Sequence, residues 1–552
     1  MTLGQPDGYT SAFVYKRRVV SSAPPAESIF RPQHLAAIVR GSAMRLSILT
    51  AVLGFAGGGE ALRGPMPIKS TKAMTRMLGA GDERKQSTAH ATMAYFDQLI
   101  DHSRPELGTF KQRYYYSTDY WQGPGSPISM EAPSESPLEL EDVHLTNKTM
   151  AGLIAQSLRG AAVILEHRFY GSSRPRQQAA QDTEYLQPLT LENSIGDLVY
   201  FARNAKLPFD PERGSRPDKG AMDALRLLVR GRAVGVDRED CACAVVEARS
   251  SLWQYFEVIE EAMPRNCSAD WKRVMAHIDE VLMHGSASDK GQLKQKMGVE
   301  NYTDMTTAEF ATQWLGTWQD QQYGSGYSEF FQMCDYLEAC RNQLPEEYEP
   351  APGPDSIGLE KALGGYFRGL QGLDEVAIHG GPVLESEFLY PWSWQLCNEP
   401  FEWWPTERPG RPLHVTTGYD TETSLRQAVC IDAFPDVGKY KVGVKMGRNE
   451  HAVNRLTSGW RNHNATRLVW VNADLDPWLY ATVSSPDRPG GPLQSTEDAP
   501  VYMLRGGSHC NDFPTQNAAV NEDARIMFDG VATNMKRWAT EFYKQHNVTR
   551  TF

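Results

Sequence analysis

The sequence predicts an α/β fold with a mostly parallel central sheet and a helical insertion, and three observations support this prediction. A strongly apolar run at Gly160–His167 is followed by apolar residues at helical spacing from Ile195, which is the strand and helix alternation of α/β proteins. From about Ser268 the sequence takes on a helical character. Strand-like sequence then returns near Pro412 and again at Arg467.

The first half of the sheet is expected within residues 91–250. The segments YFDQLIDH, from Tyr95, and TFKQRYYY, Thr109 to Tyr116, have the aromatic content of antiparallel strands at the start of a sheet. Two further strands are expected at Pro127–Pro133 and Gly160–His167, and the second is apolar enough for a sheet covered on both faces. The helix that follows has its apolar residues at Ile195, Leu198, Val199 and Ala202.

A helical insertion is predicted for residues 251–405. One apolar stripe at helical spacing consists of Trp271, Val274, Met275, Ile278, Val281 and Leu282. The sequence after this stripe is rich in Gln, Glu, Met and aromatic residues and has few β-branched runs. That composition favours helices over strands.

Two late strand-like runs each lead into one ionisable side chain. The apolar run Leu468–Val471 leads to Asp476, and Pro477 stops the strand there. The run Val501–Leu504 ends in two glycines and His509. An acid and then a histidine, at strand tips in that chain order, is how an α/β-hydrolase presents the last two members of a Ser, Asp, His triad. The helical insertion then has the usual position of a cap domain over a hydrolase sheet.

The second half of the hydrolase domain is expected to cover residues 406–552. It closes on an amphipathic helix whose buried face is predicted to contain Met527, Val531, Met535, Trp538 and Phe542.

Composition limits the partners of the chain. Its 552 residues carry a formal net charge of −12, which argues against a nucleic-acid partner because phosphate binding needs a basic face. The cysteines show no metal-ligand spacing beyond the close pair Cys241 and Cys243, so neither a metal nor another cofactor is expected. No stable membrane insertion is expected either, and the sequence does not indicate the oligomeric state.

The first ninety residues are expected to hold targeting sequence rather than folded structure. Residues 44–61 have the form of a secretory signal peptide, with one arginine, an apolar core and a small-residue site ending at Ala61. This segment lies far inside the chain, so we interpret residues 1–43 as an over-extended N-terminus. The alternative, a membrane anchor, is disfavoured because the apolar run is shorter than the ~20 residues that span a bilayer. Residues 62–90 are interpreted as a linker or short pro-segment.

Secretion, or delivery to a vacuole or lysosome, is supported by possible glycosylation and disulfide bonds. Sequons for N-glycosylation occur at Asn147, Asn266, Asn301, Asn464 and Asn547. The eight cysteines would form disulfides in an oxidising compartment, and their pairing cannot be read from the sequence.

Several segments in order resemble the serine peptidase family of lysosomal Pro-X carboxypeptidase and dipeptidyl peptidase II, especially its secreted fungal members. They are YFDQLIDH, TFKQRYYY, EHRFYGSSRP, LTLENSIGDL, LWQYFEVIEEAMPRNC, WSWQLCNEPFEWW, NADLDPW and GGSHC. The resemblance covers about residues 95–205 and 244–545. It implies an α/β-hydrolase with a helical cap that cleaves peptide or protein substrates after proline. It also implies that Asp476 is the triad acid and His509 the general base.

The nucleophile expected from this resemblance is absent from the sequence. No G-x-S-x-G motif occurs in the chain, and the stretch between Phe209 and Ala244, where the family carries its nucleophile elbow, lacks one. Near the oxyanion hole, the family's Pro-Gly-Glu turn is replaced by Pro133, Ser134 and Glu135. Three other serines are disfavoured as substitutes because turn serines usually bond the backbone; they are Ser172, Ser173 and Ser508.

Our hypothesis for the missing elbow is a frame error. When the reading frame is shifted by one base, Met222 followed by Asp223 must give tryptophan, and permitted codons let Met222–Val236 read W-T-L-S-G-C-S-Y-A-G-A-L-S-A-W. That string is the family's strand, elbow and helix, with the serine inside G-C-S-Y-A-G. In this hypothesis Cys241 and Cys243 are artefacts, and part of the next strand is also lost before Ala244.

Three functional interpretations follow. The first is a proline-directed serine peptidase, acting as an exopeptidase or endopeptidase, that is inactive as written because its serine is absent. The second is a non-catalytic relative that acts as a binding protein. The third, a lipase or esterase, is disfavoured by the peptidase-like segments. An aromatic cluster would either line a pocket for a proline ring or belong to the core; it consists of Trp392, Trp394, Trp403 and Trp404.

Overall fold

The computed structural model describes most of the chain from residue 91 onward. The described ranges are 91–131, 137–138, 142–176, 182–211, 235–236, 247–249, 252–323, 328–338, 356–371, 389–400, 415–417, 430–461 and 466–552. Residues 1–90, which include the expected signal peptide, lie outside them.

The first sheet has four strands in the order β1, β2, β4, β3. They are β1 (Thr92–Leu99), β2 (Thr109–Ser117), β3 (Ile128–Glu131) and β4 (Ala161–Leu165). The pairs β1–β2 and β2–β4 are antiparallel, whereas β3 and β4 are parallel. All five residues of β4 are buried, which confirms the prediction of a strand covered on both faces.

Helix α1 (Met150–Ser157) lies between β3 and β4 in the chain, and helix α2 (Leu191–Asn204) follows β4. Each begins at a threonine, Thr149 and Thr190, whose side chain accepts a hydrogen bond from a first-turn N–H group. The predicted apolar spacing of α2 is confirmed for Ile195 and Ala202, which are buried, while Leu198 and Val199 are partly buried against the same core.

Helices dominate the middle of the chain. They are α3 (Gln254–Ala262), α4 (Arg265–His284), α5 (Ala287–Met297), α6 (Asp304–Thr312), α7 (Glu329–Leu337), α8 (Leu359–Gln371) and α9 (Leu389–Asn398). The predicted stripe on α4 is confirmed: five of its six residues are at most 1% exposed, and Val281 is partly buried. A disulfide between Cys267 and Cys334 joins α4 to α7, and a second joins Cys397 of α9 to Cys430.

The second sheet has three parallel strands in the order β5 (Gly235–Val236), β6 (Leu468–Ala473) and β7 (Val501–Leu504). Two more helices, α10 (Glu450–Thr457) and α11 (Glu522–Gln545), belong to this part of the chain. The predicted buried face of α11 is confirmed. The strand expected near Pro412 does not appear in residues 415–417, which are the described part of that stretch.

The predicted single, mostly parallel sheet differs from the described strands, which form two separate sheets. Parallel pairs are β3–β4, β5–β6 and β6–β7, against two antiparallel pairs. Residues 177–181 and 212–234, between β4 and β5, lie outside the described ranges. The division into two sheets therefore applies to the described strands alone. Helix α1 contacts both sheets: its Met150 and Ile154 share one apolar cluster with residues of β6, β7 and α11, and its Ala155 shares another with residues of β4.

Within the described ranges, no helix combines the length and hydrophobicity required to cross a lipid bilayer.

Candidate active site

The acid lies in a tight turn at the carboxyl end of β6. The Asp476 amide donates to the Ala473 carbonyl at 3.4 Å, and the Leu479 amide donates to the Asp476 carbonyl at 3.0 Å. The side chain is only 2% exposed, and its Oδ1 accepts a hydrogen bond from the Trp478 amide at 2.9 Å. The prediction that Pro477 stops the strand is wrong: β6 ends at Ala473, and Asp474 and Leu475 form a turn before Asp476.

The histidine follows β7 through two glycines with different roles. Gly506 has a φ of +68°, a left-handed conformation that an L side chain would strain, and its amide donates to Asp474 Oδ1 at 2.7 Å. A Cβ at Gly507 would lie 2.5 Å from the Tyr323 hydroxyl, so a side chain there would displace that tyrosine from its hydrogen bond with the Arg505 carbonyl. The two glycines therefore permit a tight backbone path from β7 to His509.

The structure brings the two predicted residues together. His509 Nδ1 lies 3.2 Å from Asp476 Oδ2 and 3.3 Å from Oδ1, and both side chains are 2% exposed. An ionised carboxylate only accepts hydrogen bonds, so a neutral imidazole in this position carries its proton on Nδ1. The lone pair then lies on Nε2, which is the nitrogen that a general base uses.

The three other serines hold structural positions. Ser173 is fully buried, and its hydroxyl donates to Glu166 at 2.6 Å while accepting the Arg113 amide at 2.8 Å. Ser172 donates to the same carboxylate at 3.4 Å. Ser508 donates to the carbonyl of Trp318 at 3.0 Å. Each hydroxyl is thus committed to a scaffold contact, in agreement with the interpretation that these serines bond their surroundings.

Most of the expected nucleophile elbow and the turn near the oxyanion hole lie outside the described ranges. Residues 212–234 and 237–246, which include most of the expected elbow segment, lie outside the described ranges, and so do Pro133, Ser134 and Glu135. Gly235 and Val236 are described, and they form β5.

A buried polar network beneath the strand ends was missed in the sequence analysis. Arg168 is fully buried and donates to both carboxylate oxygens of Asp197 and to the carbonyls of Leu99, Ile100 and Pro188. Its five donors are therefore all used. The nearby His167 is buried as well, and burial lowers its pKa to about 4, so it is uncharged at neutral pH. The only signal in the sequence was the charged cluster E-H-R directly after an apolar strand.

The predicted sequons differ in exposure. Asn147, Asn301 and Asn547 are exposed, and Asn464 lies outside the described ranges. Asn266 is half-buried at the start of α4, where its side-chain amide donates to Glu338 at 3.0 Å.

The tryptophan cluster fits the core interpretation where it is described. Trp392 and Trp394 are buried in the apolar cluster of the helical region, and Trp394 Nε1 donates to the Leu189 carbonyl at 3.0 Å. Trp403 and Trp404 lie outside the described ranges. In the described part of the chain, no group of three or more His, Cys, Asp or Glu side chains could hold a metal ion.

Comparison with known proteins identifies the family. Residues 98–215 match the family model described as Serine carboxypeptidase S28. The Serine protease vicPb of Bipolaris victoriae (strain FI3) is 29% identical over 490 residues, which are 82% of this chain and 90% of that protein. The Probable extracellular serine carboxypeptidase of Arthroderma benhamiae is 24% identical over 544 residues, or 87% of this chain and 72% of that protein.

Mammalian relatives cover the chain to the same extent. The Lysosomal Pro-X carboxypeptidase of Mus musculus is 32% identical over 486 residues, which are 82% of this chain and 90% of that protein, and the Homo sapiens protein of that name is 21% identical over 490 residues. The alignments to the Bipolaris victoriae and Mus musculus proteins each cover more than four fifths of this chain. This chain belongs to the Serine carboxypeptidase S28 family, whose members are serine-type peptidases with an α/β-hydrolase-type fold.

Proposed function

We propose that this chain derives from a proline-directed serine peptidase with Asp476 as triad acid and His509 as general base. The observation that carries the proposal is the buried contact of 3.2 Å between His509 Nδ1 and Asp476 Oδ2, at the ends of neighbouring parallel strands. Direction toward proline is supported by the name of the mammalian relatives, Lysosomal Pro-X carboxypeptidase.

The pair would act on a serine supplied by the missing elbow. His509 Nε2 would take the hydroxyl proton as the serine oxygen bonds to the peptide carbonyl carbon, and would then return a proton to the leaving amine. Water would hydrolyse the resulting ester by the same route. Asp476 would hold the imidazole in the Nδ1–H tautomer and stabilise the imidazolium.

The polypeptide as written is expected to be inactive or nearly so. Its sequence has no G-x-S-x-G motif, and removal of a triad serine costs on the order of a million-fold in rate. The acid and base then have no hydroxyl to activate. We propose that the loss reflects a frame error within Met222–Val236, and that the non-catalytic binding protein is the alternative if the loss is real.

The helical region over residues 251–405 is proposed to be a cap over the two hydrolase halves, residues 91–250 and 406–552. Contacts between residues 318–323 and the Asp476 and His509 loops support this arrangement. A cap of this kind would limit which peptides reach the pair, so it would decide whether the enzyme trims chain ends or cuts internally.

Secretion or vacuolar-lysosomal delivery is proposed from residues 44–61 and from the printed names of the relatives, which include extracellular and lysosomal proteins. Glycosylation is proposed at the sequons, with the exposed Asn147, Asn301 and Asn547 best supported. At Asn266, glycosylation would require loss of the hydrogen bond to Glu338.

Transcript sequencing across codons 209–244 and fluorophosphonate labelling test the proposal. We expect the transcript to encode the shifted reading with G-C-S-Y-A-G, and the protein made from it to be labelled and to cleave Pro-X peptides. The chain as written should remain unlabelled. A transcript that encodes L-R-L-L-V-R-G would contradict the frame-error hypothesis and favour the binding protein. Cleavage of a simple acyl ester but no peptide would favour the esterase.

A further inference from the structure

One segment of the helical region contacts both loops that carry the candidate acid and base. We call residues 313–323 the strap; its first eight residues, Gln313–Asp320, form a 3-10 helix between α6 and α7. The acid loop comprises residues 474–479, after β6, and the base loop comprises residues 505–512, after β7. The two loops meet directly near the sheet, where the Leu475 amide donates to the Gly507 carbonyl at 2.9 Å.

On the acid side, the strap contacts residues immediately before and after Asp476. Trp318 Nε1 donates to the Leu475 carbonyl at 2.8 Å. Trp478 Nε1 donates to Gln319 Oε1 at 3.0 Å. The backbone that carries the carboxylate is therefore held from two sides by neighbouring strap residues.

On the base side, the strap contacts the residues around His509 in the same manner. Ser508 Oγ donates to the Trp318 carbonyl at 3.0 Å, and Gln322 Nε2 donates to the carbonyl of His509 itself at 3.3 Å. Asn511 Nδ2 donates to the Gln321 carbonyl at 2.9 Å. Trp318 thus bonds both loops, with its side chain to the acid loop and its main chain to the base loop.

The core of the helical region holds Trp318 in place. Its side chain is 3% exposed, and its ring meets Phe330 of α7 edge to face with the centroids 4.9 Å apart. Helix α7 is tied to α4 by the Cys267–Cys334 disulfide. A rigid anchor of this kind can hold a loop carbonyl in place, whereas an exposed and mobile donor could not.

We propose that Trp318 is a positioning residue that sets the distance between Asp476 and His509 by bonding both of their loops. This inference rests on the proposed function, because it takes the two side chains to be the acid and base. Displacement of a catalytic group by about 1 Å costs roughly a hundredfold in rate, so holding both loops at one residue matters for the pair.

The test follows the His509 Nδ1 proton by nuclear magnetic resonance in the full chain as written, so that no nucleophile is required. A hydrogen bond to a carboxylate moves this proton to low field, and Asp476→Asn assigns the signal by abolishing it. In Trp318→Phe we expect the signal to disappear or its exchange with water to accelerate up to about tenfold, the effect of losing one hydrogen bond.

The matched control is Trp314→Phe. Trp314 belongs to the same 3-10 helix and is 7% exposed, and its buried Nε1 has no hydrogen-bond partner in the described part of the chain. The control therefore removes the same indole atoms without removing a bond, and we expect it to keep the signal. An unchanged signal in folded Trp318→Phe, or an equal change in both variants, would overturn the proposal.

A smaller substitution keeps the inference testable if Trp318→Phe does not fold. Ser508→Ala removes one oxygen atom and the bond from the base loop to Trp318. Faster exchange of the Nδ1 proton supports the positioning role, and unchanged exchange contradicts it. Absence in the parent chain of any low-field signal that responds to Asp476→Asn would instead reject the proposed acid and base.

Discussion

Two of the buried aspartates in the described part of the chain, Asp197 and Asp476, pair with a basic side chain near a strand end, and the two pairs differ chemically. Arg168 uses all five N–H donors on Asp197 and three carbonyls, and a guanidinium does not lose its proton in proteins. His509 contacts Asp476 through Nδ1 and retains a second, chemically distinct nitrogen. Both basic side chains are buried beside an aspartate, so burial does not distinguish the two pairs. A candidate catalytic pair differs from a structural pair because its basic side chain can gain and lose a proton.

The two pairs also stabilise different parts of the fold. The Arg168 and Asp197 pair joins β1, the loop after β4 and α2, and His102 and Gln112 also donate to the aspartate. The His509 and Asp476 pair joins the two neighbouring loops after β6 and β7. We therefore expect substitutions to affect activity at one pair and folding at the other.

The largest expected effect is on activity. In the protein translated from a transcript that restores the elbow, His509→Ala should lower kcat on a Pro-X peptide by on the order of a million-fold, because the serine loses its base. The thermal midpoint should change little. His451→Ala is the matched control, because that histidine side chain is 73% exposed, and its kcat should equal the parent value. A loss of less than tenfold in His509→Ala would remove His509 from the mechanism.

The next effect is on stability. Arg168→Met should lower the free energy of unfolding by about 3 to 5 kcal/mol, because it leaves the Asp197 carboxylate buried without its cation. Urea denaturation followed by fluorescence measures this change. Lys111→Met is the control: its side chain is 67% exposed beside Asp97, which is 61% exposed, and an exposed pair contributes about 0 to 1 kcal/mol. Equal losses in both variants would contradict the scaffold role of Arg168.

A third prediction separates pH effects on folding from pH effects on the pair. Burial raises the pKa of Glu399 from 4.5 to about 7, and the Leu191 amide bonds its Oε2. The folded protein therefore holds this proton more tightly than the unfolded chain does, and the stability from this group is complete below pH 4.5 and is lost as pH rises through 7. The expected fall is about 1 to 3 kcal/mol across that window.

Glu399→Gln should flatten that part of the stability profile, because the amide does not titrate. Urea unfolding at several pH values compares the variant with the parent. If the free energy of unfolding of Glu399→Gln falls with pH as steeply as that of the parent, another group causes the fall. Glu338 is then the next candidate, because burial raises its pKa to about 7.

The smallest effect isolates one clash in the scaffold. Gly171 has a φ of +50°, and a Cβ there would overlap the Glu166 carboxylate. Gly298 has a φ of +73° with open space around it. Gly171→Ala should cost about 1 to 2 kcal/mol more than Gly298→Ala, because both carry the backbone strain and only the first carries the overlap. Equal thermal midpoints of the two variants would show that the Glu166 carboxylate moves away from the added Cβ without a loss of stability.

Local patterns predicted much of the fold. The aromatic run at Thr109–Tyr116 corresponds to β2, the apolar run before Glu166 corresponds to β4, and the stripe from Trp271 lies on the buried face of α4. These features depend on side-chain periodicity over a few neighbouring residues, which a sequence displays directly. The partners of Arg168 were not predictable, because they come from Leu99 to Asp197 and share no local pattern.

By itself the sequence determined which side chains follow the two late strands. Asp476 follows the apolar run that forms β6, and His509 follows the apolar run that forms β7, so both were found from neighbouring residues alone. The tertiary structure decided what those side chains contact, as in the 3.2 Å approach of His509 to Asp476 and the strap bonds of Trp318, and it decided the disulfide pairs. The physical reason is that these contacts join residues far apart in the chain, and only the complete packing of strands and helices brings them together.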